Sequence, residues 1–254
     1  MSEARFREAV RRVGLADNGI VARMAASLTW EIALVVNPEW EARAPDRDFL
    51  GKVLGSNPNY TGWPIWLDSR TFSEERSRPV VHGGAWEAII ASTVEDWSAH
   101  LDYMRLDPRG RFYLRRALQD DQAPLKVVPG TALDPLVVII RVAEAIAVGI
   151  AITNALIGGE GEPRQLGFAF RWTGLANRIL KTWANPSVLM IGEPRAHDNE
   201  VSTYVELPSD TPVNAIAPAV QTATRDLFAL FDGEVIPPHV IEDWSSRLTE
   251  RRLM

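Results

Sequence analysis

The chain has 254 residues, 46% hydrophobic and 24% charged, with a net charge of −6. This is globular composition, long enough to bury a sizeable core as one large domain or two small ones. The absence of cysteine excludes disulfides, thiolate chemistry and Cys-ligated zinc and suits a reducing cytoplasm, while the acidic balance confines any nucleic-acid role to a local patch.

Phe6, Val10 and Val13 follow helical spacing, so residues 3 to 13 are predicted to form a short amphipathic helix. This charged start, with no suitable apolar stretch behind it, does not read as a secretory leader. Thr29 to Val36, rich in β-branched and aromatic residues, reads as a strand ending at Asn37-Pro38. The alternative there is a helix continued from Asp17. Pro45 to Pro79 is studded with Pro, Gly, Asn and Trp. "GSNPNYTGWPIWLDSR" is excluded from a long helix by Pro58 and Pro64 and reads as an ordered loop. Tyr60, Trp63 and Trp66 are expected to staple that loop to the domain, with Asp68 and Arg70 satisfying its backbone or each other. The functional reading of the same rings is an aromatic cage or a base-stacking platform.

"AWEAIIAS" reads as a strand. "YMRLDPRGRFYLRRALQDD" then places five arginines within twelve residues. Its "DPRG" fits a type I turn closed by a left-handed Gly110, which sets a hairpin register. Asp107 faces Arg111, Leu106 faces Phe112, Arg105 faces Tyr113, Met104 faces Leu114, Tyr103 faces Arg115, and Asp102 faces Arg116. Alternation puts Met104, Leu106, Phe112 and Leu114 on a core face, with Asp102–Arg116 beyond them. The other face carries Tyr103, Arg105, Tyr113 and Arg115. It is either a partly exposed surface for an anionic ligand, an acidic partner or another subunit, or a set of Arg–Tyr stacks under a covering helix. In the second case Asp120, Asp121 or Glu144 would supply counter-charge.

Leu136 to Gly159, read as a helix from Pro135 to Ile157, forms the most apolar run and is long enough to raise the question of a membrane span. Arg141 and Glu144 lie three residues apart inside it, which favours a central core helix with Glu144 paired to Arg141 or Arg171. It stops at "GGEGEP". "LGFAFRW" alternates as a strand, and "TGLANRILKTW" is predicted as a helix capped by Thr173 with Leu175, Ile179 and Trp183 on one stripe. "EVSTYVELP" alternates again. Residues 212 to 231 look helical, broken or begun at Pro218, and Val240, Ile241, Trp244 and Leu248 mark a last helix. The sum is an α+β fold: a mostly antiparallel sheet, helices packed on one face and a long central core helix. Residues 1 to 40 are expected to form an N-terminal helix or arm, and 41 to 254 a single domain.

Catalytic signatures are sparse. "GGEGEPR" lacks the lysine–hydroxyl pair of a phosphate loop, and the chain has no GxGxxG after a strand, no HExxH and no GxSxG. His82, His100, His197 and His239 are far apart and read as surface or loop residues. "HGG" at His82 offers backbone amides to a ligand or forms a tight turn. Asp120, Asp121 and Glu144 are the candidate carboxylates for a divalent cation, or else they cap a loop and answer arginines.

"NPNYTGWPIWLDSR", "HLDYMRLDPRGRFYLRRALQDD", "RVAEAIAVG", "FAFRWTGLANRIL" and "LFALFDG" together resemble the C-terminal region of bacterial proteins that carry an N-terminal AlbA-type (Schlafen-related) DNA-binding domain. The resemblance covers roughly residues 30 to 250. It implies a bacterial cytoplasmic setting beside a nucleic-acid-binding or defence module, and it brings no catalytic residues with it. No AlbA-type domain fits ahead of Thr29, so the expectation is a stand-alone or excised version. The reading that follows is a non-enzymatic ligand- or partner-binding domain, a sensor or interaction module, because Trp, Tyr and Arg dominate binding hot spots. Its binding residues are Trp63, Trp66, Arg70, Tyr103, Arg105, Tyr113 and Arg115. It is expected to use no cofactor or metal, to engage a protein partner or a second copy of itself, and to avoid membranes. The alternatives are a metal-dependent hydrolase or nuclease using Asp120, Asp121 and Glu144, and a nucleic-acid binder working through the arginine hairpin.

Overall fold

Strict alternation of apolar residues is what turns the middle of the chain into sheet. The structure, a computed structural model, describes residues 3–15, 19–41, 43–94, 98–158, 161–185 and 192–253. Among these, β1 (Thr29–Asn37), β2 (Val80–His82), β3 (Ala85–Val94), β4 (Ser98–Asp107), β5 (Arg111–Ala117), β7 (Gln165–Thr173) and β9 (Glu200–Pro208) form one seven-stranded sheet. Its order is β2-β3-β4-β5-β1-β7-β9, and every neighbouring pair is antiparallel. Two short strands, β6 (Ala132–Leu133) and β8 (Ile179–Leu180), pair in parallel beside it. The fold is α+β, as the alternation predicts.

One face of the sheet is wholly apolar in its centre. Trp30, Phe168, Phe170 and Trp172 stack in a row across β1 and β7, with centroids 5.9–6.5 Å apart. Against this face lie α3 (Arg47–Gly55), α5 (Pro135–Ile157), α6 (Ala217–Ala229) and α7 (Pro238–Thr249), all contributing to one core. Asp134 caps α5, accepting from the Leu136 amide at 2.8 Å, and Pro135 occupies its first turn. α5 is apolar on every side, the signature of a buried helix. The most apolar 18-residue window in it is 83% buried inside the fold, so its length reflects a core role. Arg141 and Glu144 pair at 2.8 Å within it, as their spacing predicts.

The hairpin of β4 and β5 has the register its turn chemistry dictates, from Asp107↔Arg111 to Asp102↔Arg116. Gly110 is left-handed (φ 88°), and a Cβ there would lie 2.9 Å from the Trp40 ring and 3.0 Å from Val36. Both conformation and space therefore require glycine.

The second face of the sheet is divided. Over β3, β4 and β5 lie α1 (Glu3–Arg12) and α2 (Ile20–Ala26). Phe6, Ala9, Val10, Leu15 and Met24 close over Ile89, Leu101, Tyr103, Tyr113 and Ala117. Over β7 and β9 the face is open: Ala169, Arg171, Ser202 and Glu206 are exposed, and Tyr204 is 57% exposed.

Two local expectations are corrected. Residues 173 to 183 are not a helix. Gly174 (φ 86°) and Asn177 (φ 66°) adopt left-handed conformations, and β8 follows. The buried Arg178 fixes this turn by donating to Gly174 O at 2.5 Å and Ala132 O at 3.1 Å. The Pro45–Pro79 segment is not all loop either, since it begins with α3. Asp46 caps that helix through the Phe49 amide, and Phe49, Leu50, Val53 and Leu54 are buried.

Gly149 marks the closest approach of α5 to the sheet. A Cβ there would meet Phe168 at 2.6 and 2.8 Å and Leu34 at 3.0 Å. Helix propensity favours alanine by about 1 kcal/mol, whereas overpacking a locked aromatic stack costs about 1–3 kcal/mol. Gly149→Ala is therefore expected to destabilise by up to about 2 kcal/mol in chemical denaturation; a stabilised variant would contradict this packing.

Candidate functional site

The five hairpin arginines each meet a carboxylate. Arg116 makes a two-pronged pair with Asp102 (2.8 and 2.7 Å). Arg105 reaches Glu87 at 2.5 Å and the carbonyls of His82 and Gly83. Arg109 pairs with Asp107, Arg111 with Glu39, and Arg115 with Glu3. Of the two readings of the face of Tyr103, Arg105, Tyr113 and Arg115, the partly exposed one is corrected and the covering helix is found: α1 lies over it. Tyr103 and Arg105 are buried, Tyr113 donates to Glu31 at 2.7 Å, and the Arg115 guanidinium lies 4.6 Å over the Phe6 ring. The counter-charges are Glu87, Glu31 and Glu3, not Asp120, Asp121 or Glu144. Glu87 is fully buried and also receives Arg5 (3.2 Å) and Arg12 (2.7 Å) from α1. Burial alone would raise its pKa, but the hydrogen bonds from Arg12 and Arg105 outweigh that and hold it below the ordinary carboxylate range.

The tryptophan loop is pinned from beneath. Trp66 is fully buried, with Nε1 3.3 Å from Tyr113 O. Trp63 donates to Asp102 at 2.8 Å and stacks on His100 with centroids 3.8 Å apart. Its carbonyl accepts from both Arg116 (3.2 Å) and Arg141 (2.9 Å). Thr61 completes the junction, donating to Glu144 at 2.7 Å and accepting from Arg141 at 3.0 Å. Asp68 and Arg70 pair with each other on the surface, at 2.6 Å.

The three carboxylates considered for a metal are engaged separately. Glu144 serves Arg141 and Thr61. Asp121 forms a buried pair with Arg178 (2.6 Å) and accepts from the Leu28 and Gly130 amides. Asp120 is fully buried and accepts from the Asp134 amide (2.6 Å) and Trp183 Nε1 (2.9 Å) through one oxygen, while its other oxygen has no partner. Burial, and beyond it the charge of Asp134, push its pKa up to about 7 against the pull of those two donors. Among the described residues no group of three or more His, Asp or Glu side chains is placed to hold a metal ion.

A cavity of about 620 Å³ is a cleft between the α1–α2 region, the inner strands β3 and β4, and the loop after Phe72. Arg23, Phe72, Arg76, Ser77, Ser92, His100 and Gln122 line it. Burial holds His100 down to about 4; Asp102 pulls the other way, and Arg116 and Arg141 add to the lowering. His100 is therefore a neutral imidazole at physiological pH. Arg76 pairs with Glu74 at 3.1 Å, whereas Arg23 makes no ion pair among the described residues. The cleft thus carries an uncompensated cation, hydroxyl and amide groups, and two rings, one of them backed by Trp63. Of the residues singled out in the sequence, Trp63 bears on it, and so does His100, which is half-buried in β4 and not the surface or loop residue expected. His100 and Arg23 carry no local signal, because the fold alone brings them together.

Trp63→Ala is expected to cost about 3 kcal/mol in urea denaturation, since it removes a stacked ring and leaves Asp102 short of a donor. For Asp120 the folded pKa is raised, so the native state holds a proton that the unfolded state releases. Stability from this group is complete below about pH 4 and is lost as pH rises to about 7. Asp120→Asn should flatten that decline and gain about 2–4 kcal/mol relative to wild type at pH 8 over pH 4. Parallel pH–stability curves for the two proteins would contradict the assignment.

No family model, curated protein or solved structure matches the chain, so its functional reading rests on this geometry.

Proposed function

We infer that the chain is a binding domain, a sensor or interaction module, and that its ligand is a small polar anion received in the cleft of Arg23 and His100. The observation that carries this reading is the Arg23 guanidinium, without an ion pair among the described residues, at a cleft of about 620 Å³ that also offers Ser92, Gln122 and a neutral His100. That volume lies within the range of small-molecule sites, and convergent polar groups on a preformed wall are what orient a ligand. Trp63 holds the His100 ring in place, and Trp63 is itself anchored to Asp102 and to Arg116 and Arg141. A stiff wall of this kind lowers the ordering cost of binding. The hairpin arginines do not favour a nucleic-acid surface, because each is committed to a carboxylate.

The test is a thermal-shift and calorimetric panel of inorganic phosphate, sugar phosphates and mononucleotides. At least one should stabilise the protein saturably by mass action. Arg23→Glu should weaken that ligand by about tenfold or more while leaving the melting temperature of the free protein unchanged. Because His100 stays neutral above about pH 4, any change in affinity across neutral pH should follow the ligand's own second ionisation. The reading is overturned if no member of the panel binds, or if Arg23→Glu binds as wild type does.

A further inference from the structure

A second cavity of about 280 Å³ lies on the other side of the Trp63 junction, between the loop after α4 (Gln119–Gln122), the first turns of α5 and the segment after β8. Val137 and Ile140 give it apolar walls, and the Trp183 ring forms another. That ring is held firmly: its Nε1 donates to Asp120 at 2.9 Å, and its backbone amide donates to Asp134 at 2.9 Å.

The polar feature of this cavity is Arg141, only 5% exposed. Its Nε donates to Gln119 (3.4 Å), and its Nη1 donates to Thr61, the Trp63 carbonyl and Glu144. Nη2 makes no hydrogen bond among the described residues. Because Arg141 lines the cavity, Nη2 is the donor it has left for a ligand there. A buried N–H without an acceptor is costly, so a bound acceptor has much to gain there. At the rim is Lys126, exposed and without an ion pair among the described residues.

We propose that this cavity binds a small amphipathic monocarboxylate: the carboxylate accepts from Arg141 Nη2 and Lys126, and its short acyl chain or single ring rests between Trp183, Val137 and Ile140. A monoanion fits better than a phosphate dianion because two native carboxylates are close by. Glu144 already neutralises the inner edge of Arg141, and Asp134 sits behind Trp183 and Ala184. A second negative charge on the ligand would be repelled at short range in a poorly solvated site. The apolar walls require a hydrophobic body, which inorganic phosphate lacks. The site is distinct from the Arg23 cleft and does not depend on that reading.

The test uses benzoate and hexanoate as probes, with methyl benzoate and inorganic phosphate as comparators, in ligand-observed NMR and calorimetry on the full chain. Both acids should bind wild type, and methyl benzoate and phosphate should bind at least about tenfold more weakly. Lys126→Glu, a surface change that leaves melting unaltered, should weaken both acids by about tenfold. Ala123→Leu fills the cavity from its wall and should abolish binding. Arg23→Glu should leave acid binding unchanged. The proposal fails if neither acid binds, if the ester or phosphate binds equally well, if Lys126→Glu has no effect, or if Arg23→Glu removes the binding that Lys126→Glu leaves intact.

Discussion

A guanidinium on the core side of a sheet has no water to turn to, and much of this molecule is arranged around that constraint. Arg116 points to the same face as Leu114 and Phe112, and Asp102 across the hairpin meets it with two parallel hydrogen bonds. Pairing alone leaves donors unspent, and a buried charge is tolerable only when its remaining donors are satisfied. The Trp63 and Pro64 carbonyls supply that need. Arg141 imposes the same demand from α5 and uses the same Trp63 carbonyl. An irregular loop thereby becomes a structural part of the core, because two buried cations require its backbone oxygens. The two cavities lie on either side of this junction, one reached through His100 and the other through Arg141.

The same logic works in reverse on the opposite face. Glu87 is a buried carboxylate on this face, and three arginines converge on it, two of them from α1. Apolar contact through Phe6 and Val10 gives α1 its adhesion, and Glu87 gives it a position. The Arg115 guanidinium over Phe6 and the Glu3 carboxylate beyond it fix the other end. Helix α1 is therefore bound by direction-sensitive contacts, which a purely hydrophobic stripe would not provide.

Where local chemistry decides, the sequence was readable. The hairpin register follows from Asp107, Pro108 and Gly110, and each pair falls where turn geometry puts it. The core helix follows from its apolar run, its Pro135 start and the Arg141–Glu144 spacing. Misreadings arose where a helical spacing had another cause. Leu175, Ile179 and Trp183 mimic a stripe, but Gly174 and Asn177 turn the chain left-handed between them, and Arg178 ties the turn to Asp121. Helix α3 did have a signal, Asp46 followed three residues later by Phe49, and it was masked by the prolines that follow. The partners of Arg105, Arg111 and Arg115 were illegible for a different reason. Glu87, Glu39 and Glu3 come from other elements, and no spacing within residues 103 to 121 encodes them. The same holds for the cleft, since Arg23 and His100 meet only after α2 has packed near β4.

Strand β9 ends the sheet with nine residues hydrogen-bonded on one side to β7. A free edge of that length is a template on which an identical edge can add. An antiparallel addition centred on Thr203 would set Glu200 of each copy opposite Glu206 of the other. Like charges directly opposed across strands are destabilising, and here they would occur at both ends of the new ladder. Tyr204, hydrogen-bonded to Glu206 and lying over Gly167, keeps that carboxylate close to the strand. In that register the glutamates stand against the addition of a second copy of β9 to this edge.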